Sequence, residues 1–293
     1  MAAMSLPLQS SLPRLPARRP DSNKGDFGRA VLVGGSRGMT GAIALSGMAA
    51  LRGGAGLVRL AVADCCLDTV AAIEPSYMTS PLACDDGGRI SLKAREAIFE
   101  LSRTASCLAC GPGLGQSDDL TELVSWLYAN VAAPMVLDAD ALNALAARQN
   151  KLAQPAGPRV ITPHPKEFSR LSGVSEKDRD AQIEAARRLA AEHSIVVLLK
   201  GRHTFITDGR REALNTTGNP GMATGGTGDV LTGLVTALVC QHLPPFDAAQ
   251  LGAHLHGLAG DLAVAEVGQV SLIASDLIQY LPHAFRTLGD QPL

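Results

Sequence analysis

The sequence of 293 residues predicts an α/β layered fold, a mostly parallel central sheet with helices on both faces. Three observations carry that expectation. Short aliphatic or β-branched runs alternate with Ala- and Leu-rich stretches along the chain, the order of strand–helix–strand units. The strand-like runs are continuously apolar, as strands covered on both faces are. Aromatic residues make up only 3% of the chain and apolar residues 46%, so the core is one of small aliphatics that lets helices sit close.

In chain order, residues 1–23 carry four prolines and no hydrophobic period, and are expected to form a disordered or loosely attached arm. RAVLVGG (29–35) reads as a strand and GAIALSGMAALRGGAG (41–56) as a helix closed by glycines. LVRLAV (57–62) is a second strand, SLKAREAIFELSR (91–103) a helix and CLACG (107–111) a third strand. DDLTELVSWLYANV (118–131) is helical, PMVLDAD (134–140) a strand, and ALNALAAR (141–148) helical again. PRVITPH (158–164) is a strand, followed by a short helix PKEFSRLSG (165–173) and a longer one, DAQIEAARRLAAEHS (180–194). IVVLLKG (195–201) and TFITD (204–208) read as adjacent strands. A glycine-rich loop then leads to helices at 229–241, about 247–266 and 274–288. No repeat or interdomain linker interrupts this order, so residues 24–290 are expected to be a single domain.

Composition excludes several classes. Formal net charge is −2 and the sequence pI about 6.4, so nothing favours nucleic acid or an anionic membrane as partner. No run approaches the roughly 18 apolar residues of a membrane span. Arginines stand at 14, 18 and 19, but no apolar leader core follows them. Of six cysteines, Cys107 and Cys110 have CxxC spacing, yet they lie in the apolar run ASCLACGPG with no second pair and no nearby histidine pair. They read as small buried hydrophobes, and a reducing, cytoplasmic setting is expected.

Three glycine-rich turns are expected to follow strands: VGGSRGMTG (33–41), CGPGLG (110–115) and GGTGD (225–229). None contains GxGxxG or GxxxxGK[ST], so a Rossmann dehydrogenase and a P-loop NTPase both fit poorly. Glycine is also simply good at tight turns. However, VLDADALN, ITPHPKE and LLKGRHT would end other strands on the same side, where open α/β sheets collect ligands. Five glycines within residues 218–228 precede an apolar helix. At such a helix mouth, unpaired N–H groups and the helix dipole attract anions, and glycines let a phosphate come close. Thr227 can cap that helix or donate its hydroxyl. Asp229 beside an anion site either serves the helix dipole or takes a proton from a hydroxyl that attacks phosphorus.

Other strand-end residues each have two readings. His164, between two prolines, is a satisfied structural histidine or a rigid ligand contact. Glu167 serves the next helix dipole or holds a metal-bound water. Lys200 snorkels to solvent or reaches phosphate. Asp138, Asp140 and Asn143 cap a helix or bind magnesium through water.

KGDFGRAVLVGGS…TGAI, GAGLVRLAV, GPGLG, LDADALNAL, TPHPKEF, LLKGRHT, NTTGNPGMATGGTGDVLTG and LHGLAGDLA together resemble the ADP-dependent NAD(P)H-hydrate dehydratases of the ribokinase-like superfamily, over roughly residues 24–285. The most specific blocks are GNPGMATGGTGD and PHPKE. The resemblance implies cofactor repair: the S-epimer of hydrated NADH or NADPH is dehydrated with hydrolysis of ADP or ATP and Mg2+. It implies that Asp229 takes the hydroxyl proton and that Gly226, Thr227 and Gly228 cradle the phosphoryl group. By the same resemblance Ala42, Gly113, His164 and Asp229 contact the hydrate. Lys200, Gly201, Arg202, His203, Thr204 and Gly228 line the adenine nucleotide site. Glu167 stands where many superfamily kinases have the glutamate of Asn-x-x-Glu acting on magnesium-bound water, with His164 in place of the Asn.

Partnership with an NAD(P)H-hydrate epimerase and a homo-oligomer are also implied. Some members carry a fused epimerase domain; only about 23 residues precede the first motif, so that domain is expected to be absent. A hydroxyethylthiazole-type kinase is the alternative within the superfamily, and a nucleotide-binding regulator without catalysis is a third reading, against which an intact Asp229 argues.

Overall fold

The apolar runs become the strands of one nine-stranded sheet, in a computed structural model that describes residues 8, 11–148 and 152–289. The strands are β1 (Arg29–Val33), β2 (Leu57–Ala63), β3 (Met78–Leu82), β4 (Cys107–Cys110), β5 (Met135–Leu137), β6 (Arg159–Ile161), β7 (Val196–Leu199), β8 (Phe205–Thr207) and β9 (Glu212–Leu214). Their order is β3-β2-β1-β4-β5-β6-β7-β8-β9. Pairing is parallel from β3 through β7, while β8 and β9 are antiparallel. The chain thus winds outward in both directions from β1, and the switch between β1 and β4 opens a crevice at the carboxyl ends of the strands.

Ten helices connect and flank the strands among the described residues: α1 (Thr40–Arg52), α2 (Leu67–Ala71), α3 (Arg95–Ser102), α4 (Asp118–Asn130), α5 (Asp140–Ala147), α6 (Pro165–Ser172), α7 (Arg179–His193), α8 (Thr227–Cys240), α9 (Pro245–Ser271) and α10 (Ala274–Gly289). Alternation along β1 shows how two cores form. Ala30 and Leu32 face the cluster built with α1, α8, α9 and α10, whereas Val31 and Val33 face the cluster built with α3 to α7. No helix among the described residues is long and apolar enough to cross a membrane.

The expected elements form, with three additions and some shifted ends. β3 and β9 escape a sequence reading because MTSPL is a half-polar edge strand with a proline and EAL is only three residues long. The single-turn α2 escapes for the same reason of length. Helix α9 runs beyond the expected 266, interrupted at Gly268, whose φ is +74°. The third glycine turn does not follow a strand directly. Residues 215–226, including a short 3-10 turn at Pro220–Met222, intervene between β9 and α8.

Cys107 and Cys110 are buried in β4 and free, and burial pushes the Cys110 thiol up to about 12. The expectation of a loose arm over 1–23 falls partly on residues 1–7 and 9–10, outside the described residues. Within the described part, Arg18 stacks on the Phe27 ring at 3.8 Å and donates to Gly54 O at 2.8 Å, and Leu15 packs against the first core.

Candidate active site

The site is assembled at the carboxyl ends of the parallel strands. At the β1/β4 switch the turns after these strands press backbone on backbone. Gly35 N–H donates to Pro112 O at 2.9 Å, and a side chain at Gly113 would strike the carbonyl of Met39. Glycine is needed in these two turns for close approach to each other. The same contact brings Gly113 against Ala42 in the first turn of α1, so these two sequence-predicted residues meet. Asp140 Oδ2 accepts from Gly115 N–H at 2.8 Å and ties the end of β5 to the same turn.

Asp138, at the end of β5, is 1% exposed and uses both oxygens. Oδ1 accepts from Lys200 Nζ at 2.7 Å, and Oδ2 from Thr232 Oγ1 at 2.8 Å, so β5, β7 and α8 are bound through one carboxylate. Lys200 Nζ lies 3.9 Å from Glu167 Oε2. Burial pulls the Lys200 ammonium down, but Asp138 and Glu167 outweigh it and hold the group above its ordinary value.

After β6, His164 caps α6. Its Nδ1 accepts from Lys166 and Glu167 N–H at 3.1 and 3.3 Å, while Glu167 Oε2 accepts from His164 N–H at 2.8 Å. This is a reciprocal capping box with histidine in the serine position, and it spends Nδ1 on the helix. The structural reading of His164 is thus met at Nδ1, and Nε2 lies 3.4 Å from Glu167 Oε1. Burial lowers His164, helped by Lys200, and burial raises Glu167 against Lys200.

The mouth of α8 faces this group. Gly226 is its N-cap with φ +91°, a conformation that favours glycine. Thr227 does not cap; its hydroxyl donates into the preceding loop, with Met222 O and Thr224 O each at 3.1 Å. A side chain at Gly228 would begin 3.2 Å from Lys200 Nζ and 3.6 Å from Asp138 Oδ2. Asp229, next along, is pushed up to about 7, first by burial and then by Asp138, with Lys200 opposing. Its backbone carbonyl accepts from Ser46 Oγ of α1 at 2.8 Å.

A cavity of about 750 Å³ opens beside this mouth. Lys200, Gly201, Arg202, His203 and Thr204 form one wall, residues 215–220 another, and Thr227 and Gly228 close the end. All the residues assigned by resemblance to a nucleotide thus share one cavity. Ala42, Gly113, His164 and Asp229 are not among its lining residues. Asp229 stands between the cavity-lining Gly228 and the α1 end of the site, and Gly226 is turned instead toward Leu45 and Ala274.

Two residues here were not singled out by sequence. Arg179, at the start of α7, braces the 200–204 wall by donating to Lys200 O, Leu199 O and His203 O at 3.0, 3.1 and 3.3 Å. Nothing in the sequence marks it, because its targets are backbone atoms distant in the chain. His256, inside LHGLAGD, contacts Thr227 O through Nε2 at 2.8 Å, and burial pulls it down to about 4. Neutral at ordinary pH, it must carry its proton on Nε2 to donate there. Its quoted motif was the available signal.

Asp138, Glu167 and Asp229 surround a single ammonium, which leaves an excess of negative charge at the mouth. Among the described residues no three His, Cys, Asp or Glu side chains are grouped to hold an ion alone. Oxygen donors with surplus negative charge fit magnesium, an ion that keeps waters and shares phosphate oxygens rather than taking an all-protein cage.

The fold defines a ribokinase-like α/β protein. It superposes on a ribokinase-like superfamily protein from Enterococcus faecalis with TM-score 0.78 at 26% identity, covering 93% of this chain and 92% of that one. The NAD(P)H-hydrate dehydratase family model matches residues 30–283, and the chain belongs to that family. It is similar to the bifunctional NAD(P)H-hydrate repair enzyme Nnr of Moorella thermoacetica, 44% identical over 281 residues, 95% of this chain and 53% of that protein. The Escherichia coli Nnr is 39% identical over 91% of this chain and 49% of its own length. The chain spans about half the length of these curated relatives. Among solved structures, the ADP/ATP-dependent NAD(P)H-hydrate dehydratase of Bacillus subtilis, co-crystallized with ATP/Mg2+, matches with TM-score 0.83 at 30% identity, over 97% of this chain and 99% of that one.

Proposed function

We propose that the protein dehydrates the S-epimer of hydrated NADH and NADPH to the reduced dinucleotides, with hydrolysis of ADP or ATP, as a carbon–oxygen lyase. The observation that carries this reading is a half-buried aspartate with a carboxyl near 7, at a helix mouth that closes the end of a nucleotide-sized cavity. A carboxyl so poised is an effective base close to neutral pH.

In this reading, the nucleotide occupies the cavity with Lys200, Gly201, Arg202, His203, Thr204 and Gly228 around it. The hydrate lies toward Ala42, Gly113 and His164. Asp229 takes the proton from the hydrate hydroxyl, whose oxygen attacks the terminal phosphorus and displaces AMP (or ADP). Gly226, Thr227 and Gly228 act as the mouth at which the transferred group is held, with Gly228 nearest Lys200. The lone pair of the ring nitrogen then expels phosphate, breaking the carbon–oxygen bond, and loss of a ring proton restores the dihydronicotinamide. Phosphate leaves far more readily than hydroxide, which is why a kinase-like arrangement serves a lyase. Positioning and charge neutralisation do most of the work in such transfers.

Magnesium would be held through water by the Glu167 carboxylate and would neutralise phosphate charge when bound, while Asp138, with both oxygens engaged, would hold Lys200 in place beside it. Lys200 supplies the fixed cation at the same place. An epimerase acting on the R form is the natural functional partner, the setting is cytoplasmic, and the chain works as a homo-oligomer.

Likeness to a hydroxyethylthiazole kinase from Pyrococcus horikoshii, at 16% identity and TM-score 0.58, concerns the fold alone and favours no kinase activity. The test is purified protein with hydrated NADH, magnesium and ADP or ATP, followed by the absorbance of the reduced nicotinamide. Wild-type protein is expected to return NADH and free phosphate. Asp229→Ala should lose about 100-fold or more in rate while still binding nucleotide. A stable phosphate ester as product, or an undiminished rate in the variant, would refute this assignment.

A further inference from the structure

The LHGLAGD stretch supplies His256 to the helix mouth, but its glycines and its aspartate have no part in the chemistry above. They form the surface on which the second wall of the cavity rests. Positions 254, 257 and 261 recur at helical spacing on one side of α9. The carbonyl of His254 accepts from Thr217 Oγ1 at 2.9 Å. Where a side chain would begin at Gly257 lie atoms of Thr217, and at Gly260 lies Met222. The loop is therefore laid directly on the helix.

Asp261 then fastens it. Oδ2 accepts from Gly218 N–H at 2.8 Å, and Oδ1 accepts from Asn219 Nδ2 at 3.0 Å. Asn219 passes the contact on, since its own Oδ1 accepts from Gly221 N–H at 3.0 Å. Both carboxylate oxygens are thus committed to the Gly218–Gly221 turn, of which Gly218, Asn219 and Pro220 line the cavity. Hydrogen bonds to an ionised carboxylate are stronger than neutral ones, and Gly218, at φ +106°, has no side chain to hold its conformation otherwise. The α8 mouth has further anchors of its own, His256 on Thr227 O and Ser46 on Asp229 O.

We propose that Asp261 is a positioning residue for the adenine nucleotide: from behind the wall it sets the Gly218–Gly221 turn against which the nucleotide lies, without touching the reacting atoms. This rests on the nucleotide-dependent reading above. Because the mouth keeps its own bonds to His256 and Ser46, losing Asp261 moves the wall and leaves Asp229 in place.

The test uses the full chain as wild type, Asp261→Ala and Asp261→Asn. ADP and ATP affinities are measured by calorimetry with magnesium, alongside kcat and the KM for each substrate. Asp261→Ala should weaken nucleotide binding and raise nucleotide KM about tenfold. Hydrate KM and saturating kcat should stay within about twofold. Asp261→Asn keeps an acceptor for Gly218 but turns an amide toward Asn219, so its loss should be intermediate. Nucleotide affinity unchanged in Asp261→Ala overturns the proposal, as do equal losses in hydrate KM, nucleotide KM and kcat. If the alanine variant does not fold, unchanged affinity in Asp261→Asn overturns it as well. A wild-type protein that binds no adenine nucleotide would instead defeat the functional reading on which this rests.

Discussion

Gly225, Gly226 and Gly228 are near neighbours in sequence and do different work, and substitution separates them. Gly226 has φ +91°, and a Cβ there would meet Leu45 Cδ1 at 2.7 Å and Ala274 Cβ at 2.9 Å. Gly226→Ala therefore strains the backbone and overpacks α1 against α10, for a loss of about 2–4 kcal/mol in stability. Gly228→Ala meets only the flexible end of Lys200 and the Asp138 carboxylate, so it should fold nearly as wild type and lose turnover. Gly225 has nothing within 4 Å of the added carbon. Gly225→Ala should leave Tm unchanged, and a fall in rate would then report an anion at that N–H. Thermal melts beside kinetics for the three variants read this directly. Equal melting temperatures for Gly226→Ala and wild type would contradict the packing argument.

Helix α8 is the element on which the site depends. From Val230 to Cys240 it is buried on every side, between the sheet and α1 and α9. So complete a burial brings α1 close, and small residues make the approach possible. Gly233 lies against the backbone carbonyl of Ser46, and Gly53, the C-cap of α1, against Ala237 of α8. Ser46 in turn donates to Asp229 O, so spacing between these helices sets the height of the mouth. Gly233→Ala cannot be relieved by rotating a side chain, because the atom it meets is main chain. About 1–3 kcal/mol of destabilisation is expected from overpacking, with a fall in kcat out of proportion to it. Denaturant unfolding with kinetics on the same preparation checks both. A stable variant with normal kcat would show the contact to be slack.

At the scale of the molecule, one half-buried carboxyl links activity and stability to pH. Asp229 is held up to about 7 when folded, against about 3.9 in an unfolded chain. Stability from the neutral form is fully present below the unfolded value. It declines as pH rises between the two values and is gone above about 7. Catalysis runs the opposite way, since a base must be ionised. Rate is therefore expected to climb through about pH 7 while intrinsic stability falls. Asp229→Asn stays neutral, so its Tm should exceed that of wild type by roughly a few degrees at pH 8, with a smaller gap near pH 5. Scanning calorimetry without nucleotide or magnesium measures this. A gap independent of pH would mean that the carboxyl is not desolvated.

Periodicity and glycine placement were enough to read an α/β protein, the order of its main elements and the side of the sheet on which polar residues gather. Those properties are local: a strand covered on both faces must be apolar along its length, and a helix mouth declares itself within a few residues. The quoted blocks also carried the family. β3 and β9 were illegible because edge strands of three to five residues make too few contacts to constrain their composition. The roles of Arg179 and Asp261 were illegible because Arg179 acts wholly and Asp261 partly on main-chain atoms far along the chain, and a backbone carbonyl or N–H looks the same at every residue. Long-range packing also decided which of two meanings a residue took. It turned Gly226 into a steric requirement, made Thr227 a donor to its own loop, and raised Asp229 by withdrawing it partly from water.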